Sequence, residues 1–126
     1  MKLANARIVT RDVAALTRFY REVTGVAPME GTDYVEFRTA GGTLAICCHR
    51  SMEANGAAGA TMPATNLSVV LDFQVDDVDR ERSRLAEAGV KFVLQPTDQP
   101  WGNRSMLFRD RDGNLINFFA PLRVAR

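Results

Sequence analysis

Residues 12–25, DVAALTRFYREVTG, and residues 77–89, DVDRERSRLAEAG, are two versions of one design, and their recurrence decides the fold. In the first, Asp12 precedes Val13, Leu16, Phe19, Tyr20 and Val23, a 3, 3, 1, 3 spacing that puts all five apolar side chains on one helix face. The Asp12 carboxylate can accept from the free N–H groups of the first turn. Gly25 supplies the left-handed stop. In the second, Asp77 caps a helix whose buried stripe reads Val78, Leu85 and Ala88, stopped at Gly89. Each helix follows an apolar, strand-like stretch, Ala4–Arg11 in one case and Ser68–Val75 in the other. The two caps lie 65 residues apart. Chance rarely repeats a cap, a stripe and a stop in order, so the chain reads as an internal duplication.

The later parts of each copy also correspond. Tyr34–Thr39 and Thr43–Cys48 flank Gly41-Gly42, and Ser105–Arg109 and Asn114–Ala120 flank Asp110-Arg111-Asp112-Gly113, both of them hairpin signals. Phe37-Arg38 and Gly42 return as Phe108-Arg109 and Gly113 at an offset of 71, so the second copy holds six extra residues. These are assigned to the loop-like stretch 95–102, QPTDQPWG. Between the copies, residues 51–66, SMEANGAAGATMPATN, are small and Gly/Ala-rich and read as a flexible connector. The organisation is one α+β domain over residues 1–126, with modules at about 3–50 and 67–122. A connector of this length lets the modules pair within one chain or be swapped across a dimer.

Bulk properties remove several function classes. The 126 residues suffice for one domain with a core. No apolar run approaches the roughly 18–20 residues of a membrane span, and the N-terminus lacks a signal-peptide apolar core, so the expectation is a cytoplasmic protein with no membrane partner. A net charge of +1 with interspersed signs argues against nucleic acid. Cys47 and Cys48 are neighbours whose side chains point to opposite faces of a strand, so they read as small apolar fillers rather than a disulfide. The single histidine, His49, excludes any metal site that needs two imidazoles from one chain. There is no Gly-rich phosphate loop, Gly-x-Ser-x-Gly elbow or Cys-x-x-Cys pair.

Two Asp-capped modules, the second with Trp101-Gly102 ahead of Phe108-Arg109-Asp110-Arg111-Asp112-Gly113-Asn114-Leu115-Ile116, resemble the glyoxalase/bleomycin-resistance/dioxygenase superfamily, also called the vicinal oxygen chelate superfamily. The resemblance covers nearly the whole chain and is closest to the bleomycin-resistance-type drug-binding members. Arg111 stands where proline is usual, at a turn position that accepts either. The resemblance implies two tandem βαβββ modules forming a curved mixed sheet with a cup-shaped cleft, and often a homodimer. It names no reaction, since the superfamily includes isomerases, ring-cleaving dioxygenases, thiol transferases and drug binders.

Metal-using members place a His or Gln near the start of a module's first strand and a Glu in its last. The matching positions here are Asn5 and Val70, seven residues before each cap, Asn117, four after Gly113, and Ile46, or Ala45 if the turn is one residue shorter. None offers an imidazole or carboxylate, and asparagine oxygens suit Ca²⁺ better than Fe²⁺, Zn²⁺ or Ni²⁺. The expectation is no metal and no cofactor. A register shifted by one would bring Asp72 and Gln74 forward as an unusual ligand set.

Strand alternation then assigns a ligand-facing surface: Asn5, Arg7 and Val9 in the first copy, Val70, Asp72 and Gln74 in the second, and Leu115, Asn117 and Phe119 in the last strand. Arg7 facing inward calls for a partner such as Asp72. Trp101, the only tryptophan, reads either as a lid over one end of the core or as an aromatic wall that stacks on a planar ligand. His49 is a rim histidine by default and otherwise a ligand contact or general base without a visible partner. A Cys47–His49 dyad would require both on one strand face. Tyr34, Glu36 and Arg38 share a face and read as a cross-strand charge pair rather than an acid–base pair. The expected function is metal-independent binding or sequestration of a hydrophobic or aromatic small molecule, as in antibiotic self-resistance. The alternatives are a lyase, isomerase or dioxygenase with displaced metal ligands, a metal-free isomerase, and a structural or regulatory module that has lost its ligand.

Overall fold

The computed structural model describes residues 1–122, in two compact units, the first Met1–Thr65 and the second beginning at Asn66. Each unit is a four-stranded mixed sheet with one long helix on its face, so the chain is α+β with tandem modules. The first unit runs β1 (Ala6–Thr10), α1 (Val13–Thr24), β2 (Met29–Glu30), β3 (Tyr34–Arg38) and β4 (Thr43–Cys48), followed by a short helix α2 (His49–Met52). The second runs β5 (Val70–Gln74), α3 (Val78–Glu87), β6 (Phe92–Asp98), β7 (Asn103–Arg109) and β8 (Leu115–Pro121). Strand orders are β1-β4-β3-β2 and β5-β8-β7-β6, and in each the first strand lies parallel to the last.

Both helices begin as the sequence dictates. The Asp12 carboxylate accepts from the Ala15 N–H at 3.0 Å, and that of Asp77 from the Arg80 N–H at 3.1 Å. Gly25 ends α1 at φ 70°, a conformation only glycine adopts without strain. The α1 face that meets the sheet is built from Leu16, Tyr20 and Val23, all at most 2% exposed. Tyr20 packs on Phe37, which fixes the helix-side face of the first sheet as Val35, Phe37, Leu44, Ile46 and Cys48. In the second unit Phe73, Phe108 and Phe118 meet edge to face, and Arg82 of α3 lies over the Phe92 ring. That places Phe92, Phe108, Ile116 and Phe118 on the helix side.

Four expectations are corrected. Ala88 is exposed, not part of the α3 stripe, because the helix ends there and only Val78 and Leu85 are buried. Residues 95–98 are not loop: β6 continues through them to Asp98, with register shifts against β7 between Phe92 and Thr97 that absorb Pro96 at the edge of the sheet. The extra residues of the second copy therefore lengthen an edge strand as well as its turn. The connector is partly helical, since α2 passes into a π-type turn at Glu53–Ala57 that breaks at Asn55 and Gly56. The strand expected from Ser68 begins at Val70, because the Asn66 side chain accepts from the Ser68 and Val69 N–H groups and holds that entry as a turn. Among the described residues no helix is long and apolar enough to cross a membrane.

Candidate functional site

Strand pairing sorts the polar residues by face. In the first sheet Arg7, Ala45 and Glu36 form one row across β1, β4 and β3, and Val9, Cys47 and Tyr34 the next. Both rows lie opposite α1. Asn5, just before β1, donates its Nδ2 to the Tyr34 hydroxyl at 3.2 Å, and that hydroxyl donates to Glu36 Oε2 at 2.7 Å. Arg38 closes the chain on Glu36 Oε1 at 2.8–2.9 Å. Tyr34, Glu36 and Arg38 thus interact along one strand, two residues apart, not across strands as anticipated. The hydrogen bonds from Tyr34 and Arg38 hold the Glu36 carboxyl below its usual range. The Glu36 acceptor raises the Tyr34 phenol, with Asn5 and Arg7 opposing.

The floor of this face is small. Ala45 is fully buried and Cys47 is 3% exposed, although they point away from the helix. Burial pushes the Cys47 thiol up, while Arg7 draws it the other way. Cys48, on the helix side, has its thiol lowered by a hydrogen bond from Arg50. Both are free thiols.

In the second sheet Asp72, Asn117 and Leu107 share a row opposite α3. Asn117 Nδ2 donates to Asp72 Oδ1 at 2.9 Å, and Asn117 Oδ1 is buried without a hydrogen bond. Val70 and Gln74 are exposed on the same face, and Leu115 and Phe119 half-buried. Asp72 therefore finds its partner in its own sheet rather than needing Arg7. Trp101 occupies the β6–β7 turn and is 70% exposed, which removes the reading as a lid over the core. The turn is fixed by backbone bonds from Gln99 to Asn103 and from Gly102 to Gln99, and Leu122 donates back to Gly102.

His49 does not continue β4. The strand ends at Cys48 and His49 opens α2, so the Cys47–His49 dyad loses its geometric premise. Its Nε2 instead lies 2.8 Å from Glu53 Oε1, a partner that the i,i+4 spacing in a helix could have disclosed. Nδ1 is buried and makes no hydrogen bond.

The pairing register also decides which first-copy residue matches Asn117. Arg7 pairs with Ala45 just as Asp72 pairs with Asn117, and Arg7 and Asp72 each stand five residues before their cap. Ala45 is therefore the equivalent, and Ile46 faces the helix. The positions that match the ligands of metal-using members carry an amide and a methyl group in the first unit, Asn5 and Ala45, and an isopropyl group and an amide in the second, Val70 and Asn117. The amide Nδ2 groups donate to Tyr34 and Asp72, and what remains for a cation is a neutral amide oxygen on each. This donor set does not fit a transition-metal ion. Among the described residues, no three His, Cys, Asp or Glu side chains come together as cation ligands.

The hairpin that carries the motif has a structural role. Asp110 Oδ1 accepts from the Asp112 and Asn114 N–H groups at 2.8 and 2.9 Å, and its Oδ2 from Asn114 Nδ2 at 2.8 Å. Asn114 then accepts from Asn66 at 3.2 Å, tying the turn to the start of the unit. Gly113 takes φ 87°.

The model of the glyoxalase/bleomycin resistance protein/dioxygenase superfamily matches residues 2–118. An uncharacterized protein of Bacillus subtilis (strain 168), YraH, is 30% identical over 128 residues, covering 97% of this chain and 100% of that protein. A glyoxalase/bleomycin resistance protein/dioxygenase family enzyme from Burkholderia phytofirmans PsJN superposes with a TM-score of 0.85 at 20% identity, over 97% of this chain and 100% of its own. A protein of unknown function from Agrobacterium tumefaciens str. C58 superposes with a TM-score of 0.82 at 28% identity, over 97% and 95% of the two chains.

Proposed function

The chain belongs to the glyoxalase/bleomycin resistance protein/dioxygenase superfamily, and from that premise we propose that it binds an aromatic or otherwise hydrophobic small molecule without a metal ion. The observation that carries this reading is the donor set at the four ligand positions. Asn5, Ala45, Val70 and Asn117 supply no imidazole and no carboxylate, only two neutral amide oxygens, which are weak donors to a transition-metal ion. Without a metal to polarise a substrate, what these faces offer is what a binding protein needs. Each sheet face carries its own hydrocarbon surface, Val9 in the first unit and Val70, Leu107, Leu115 and Phe119 in the second, beside a few fixed polar groups. Trp101, with 70% of its surface open, supplies an aromatic plane for stacking.

The concrete form of this role is capture of a planar natural product, with drug sequestration in antibiotic self-resistance as the biological setting. Sequestration requires affinity and stoichiometry and no turnover. The working unit would be a homodimer, as is common in the superfamily. The two free thiols suit the reducing cytoplasm.

The test uses the single tryptophan as reporter. Purified protein is titrated with a panel of aromatic natural products while its fluorescence is followed. Saturable quenching at a fixed stoichiometry, unchanged by chelator, supports the reading. Turnover of a substrate that stops when a divalent ion is stripped would replace it with an enzyme whose ligands lie elsewhere. The observation that would favour such an enzyme is the His49–Glu53 pair, a carboxylate-held imidazole with a buried free nitrogen.

A further inference from the structure

Resting on that binding role, we infer that the ligand carries an anionic group of the carboxylate kind and that Arg7, on the sheet face of the first unit, receives it. The argument is one of charge and hydrogen-bond accounting on a single face. Asn5 donates to Tyr34, Tyr34 donates to Glu36, and Arg38 neutralises Glu36 at 2.8 Å. Each of those polar side chains has its partner. Arg7 stands in the same row as Glu36, with Ala45 between them, and forms no ion pair within its own sheet. The charged side chains of the face are therefore Arg7 and Arg38 against Glu36, leaving one positive charge uncompensated there.

The surroundings favour an apolar molecule with one anionic end. Arg7 is exposed, so its guanidinium is presented rather than sequestered. Beside it lie Val9, the buried Ala45 and Cys47, and the Tyr34 ring, a floor of hydrocarbon and thiol. The Tyr34 phenol is raised by its Glu36 acceptor and the Cys47 thiol by burial, so both stay protonated near neutral pH and set no anion against an incoming one. A planar guanidinium meets a carboxylate with two parallel N–H···O bonds, and it does so best beside a surface that excludes water.

The experiment compares two ligands of one shape. Calorimetric titration with 2-naphthoate and with 2-naphthamide at neutral pH reads the charge contribution directly, without relying on Trp101. At least tenfold tighter binding of the naphthoate is expected. Arg7→Gln should bring the naphthoate to the affinity of the amide and leave the amide unchanged. Arg7→Met, which keeps the aliphatic stem, is run beside it with circular dichroism to verify the fold. Equal affinities for the two compounds in the parent protein, or discrimination that survives in both variants, would overturn the role of Arg7 while leaving the binding reading intact. Failure of both compounds to bind at millimolar concentration would sink the two together.

Discussion

Asn5 and Tyr34 are joined by a hydrogen bond of 3.2 Å that passes over a strand lying between their own. Because β4 separates β1 from β3, the Tyr34 side chain must reach across Ala45 and Cys47 to meet the Asn5 amide. Both residues are buried although they face away from the helix, and both are small enough to leave room for such a crossing. Ala45→Leu is expected to lift the phenol off β4 and break the bond. Overpacking of this kind costs about 1–3 kcal/mol. Urea unfolding should show the loss, and the Asn5 side-chain amide resonances should move to solvent-exposed positions. Unchanged amide shifts in a folded variant would mean that Tyr34 does not lie over Ala45.

Glu36 should titrate below the ordinary value of 4.5, because the hydrogen bonds from Tyr34 and Arg38 favour its charged form. Their stabilising contribution is fully present above the unfolded pKa and is lost as pH falls through the depressed folded one. Tyr34 has the opposite sign. Its phenol is raised above 10.0, so its contribution holds below that value and disappears as pH climbs through the folded pKa. In Tyr34→Phe, carbon-detected NMR of the Glu36 carboxyl should show its midpoint moving up. A midpoint that stays put would show that Arg38 alone sets it.

Asp110 should be the least replaceable side chain of the β7–β8 hairpin. It accepts from two backbone N–H groups and from Asn114 Nδ2, and it is 7% exposed. Each buried donor left without an acceptor costs about 1–3 kcal/mol. Asp110→Ala is therefore expected to destabilise the protein by about 3 kcal/mol, and Asp110→Asn, which keeps one acceptor oxygen, by less. Chemical denaturation checks the ranking. Equal losses for the two substitutions would mean that size rather than hydrogen bonding governs the turn.

What the sequence disclosed and what it concealed divide along the range of the interactions. Caps are local: Asp12 and Asp77 act on backbone groups three residues away, so pattern reading placed them directly. Hairpin turns are equally local. The Asn5–Tyr34–Glu36 chain depends on β4 sitting between β1 and β3, an order that alternation along one strand cannot reveal. The choice between Ala45 and Ile46 needed the parallel register for the same reason. The extent of β6 escaped because Pro96 and the polar residues around it look like loop, and an edge strand tolerates them. Exposure of Trp101 could not be judged either, since one turn residue carries no periodicity.

Divalent ions should leave the protein unaffected. With two neutral amides and two hydrocarbon side chains at the ligand positions, binding of Zn²⁺, Ni²⁺ or Mn²⁺ has no imidazole, thiolate or carboxylate to drive it. A ligand present at 100 times its Kd stabilises the folded state by about 2.7 kcal/mol. Thermal unfolding midpoints with and without each ion, and after dialysis against chelator, should therefore coincide. A clear upward shift with one ion would reverse the proposal of metal-independent binding, and elemental analysis of the purified protein would name that ion.

Trp101 should separate binding from stability. Its side chain is 70% exposed and the turn beneath it is held by backbone hydrogen bonds, so little packing is at stake. Trp101→Ala is expected to change unfolding free energy by no more than about 0.5 kcal/mol, the range of a surface substitution. If the ring stacks on the ligand, its removal forfeits about 1 kcal/mol of aromatic contact, which is roughly a fivefold loss of affinity. Trp101→Phe retains a smaller plane and should fall between the two. Calorimetry suits this series, since the variants lack the fluorophore. An affinity that is the same in all three proteins would assign ligand contact to the sheet faces alone and leave Trp101 as an exposed turn residue. A graded loss at constant stability would place the ring against the ligand.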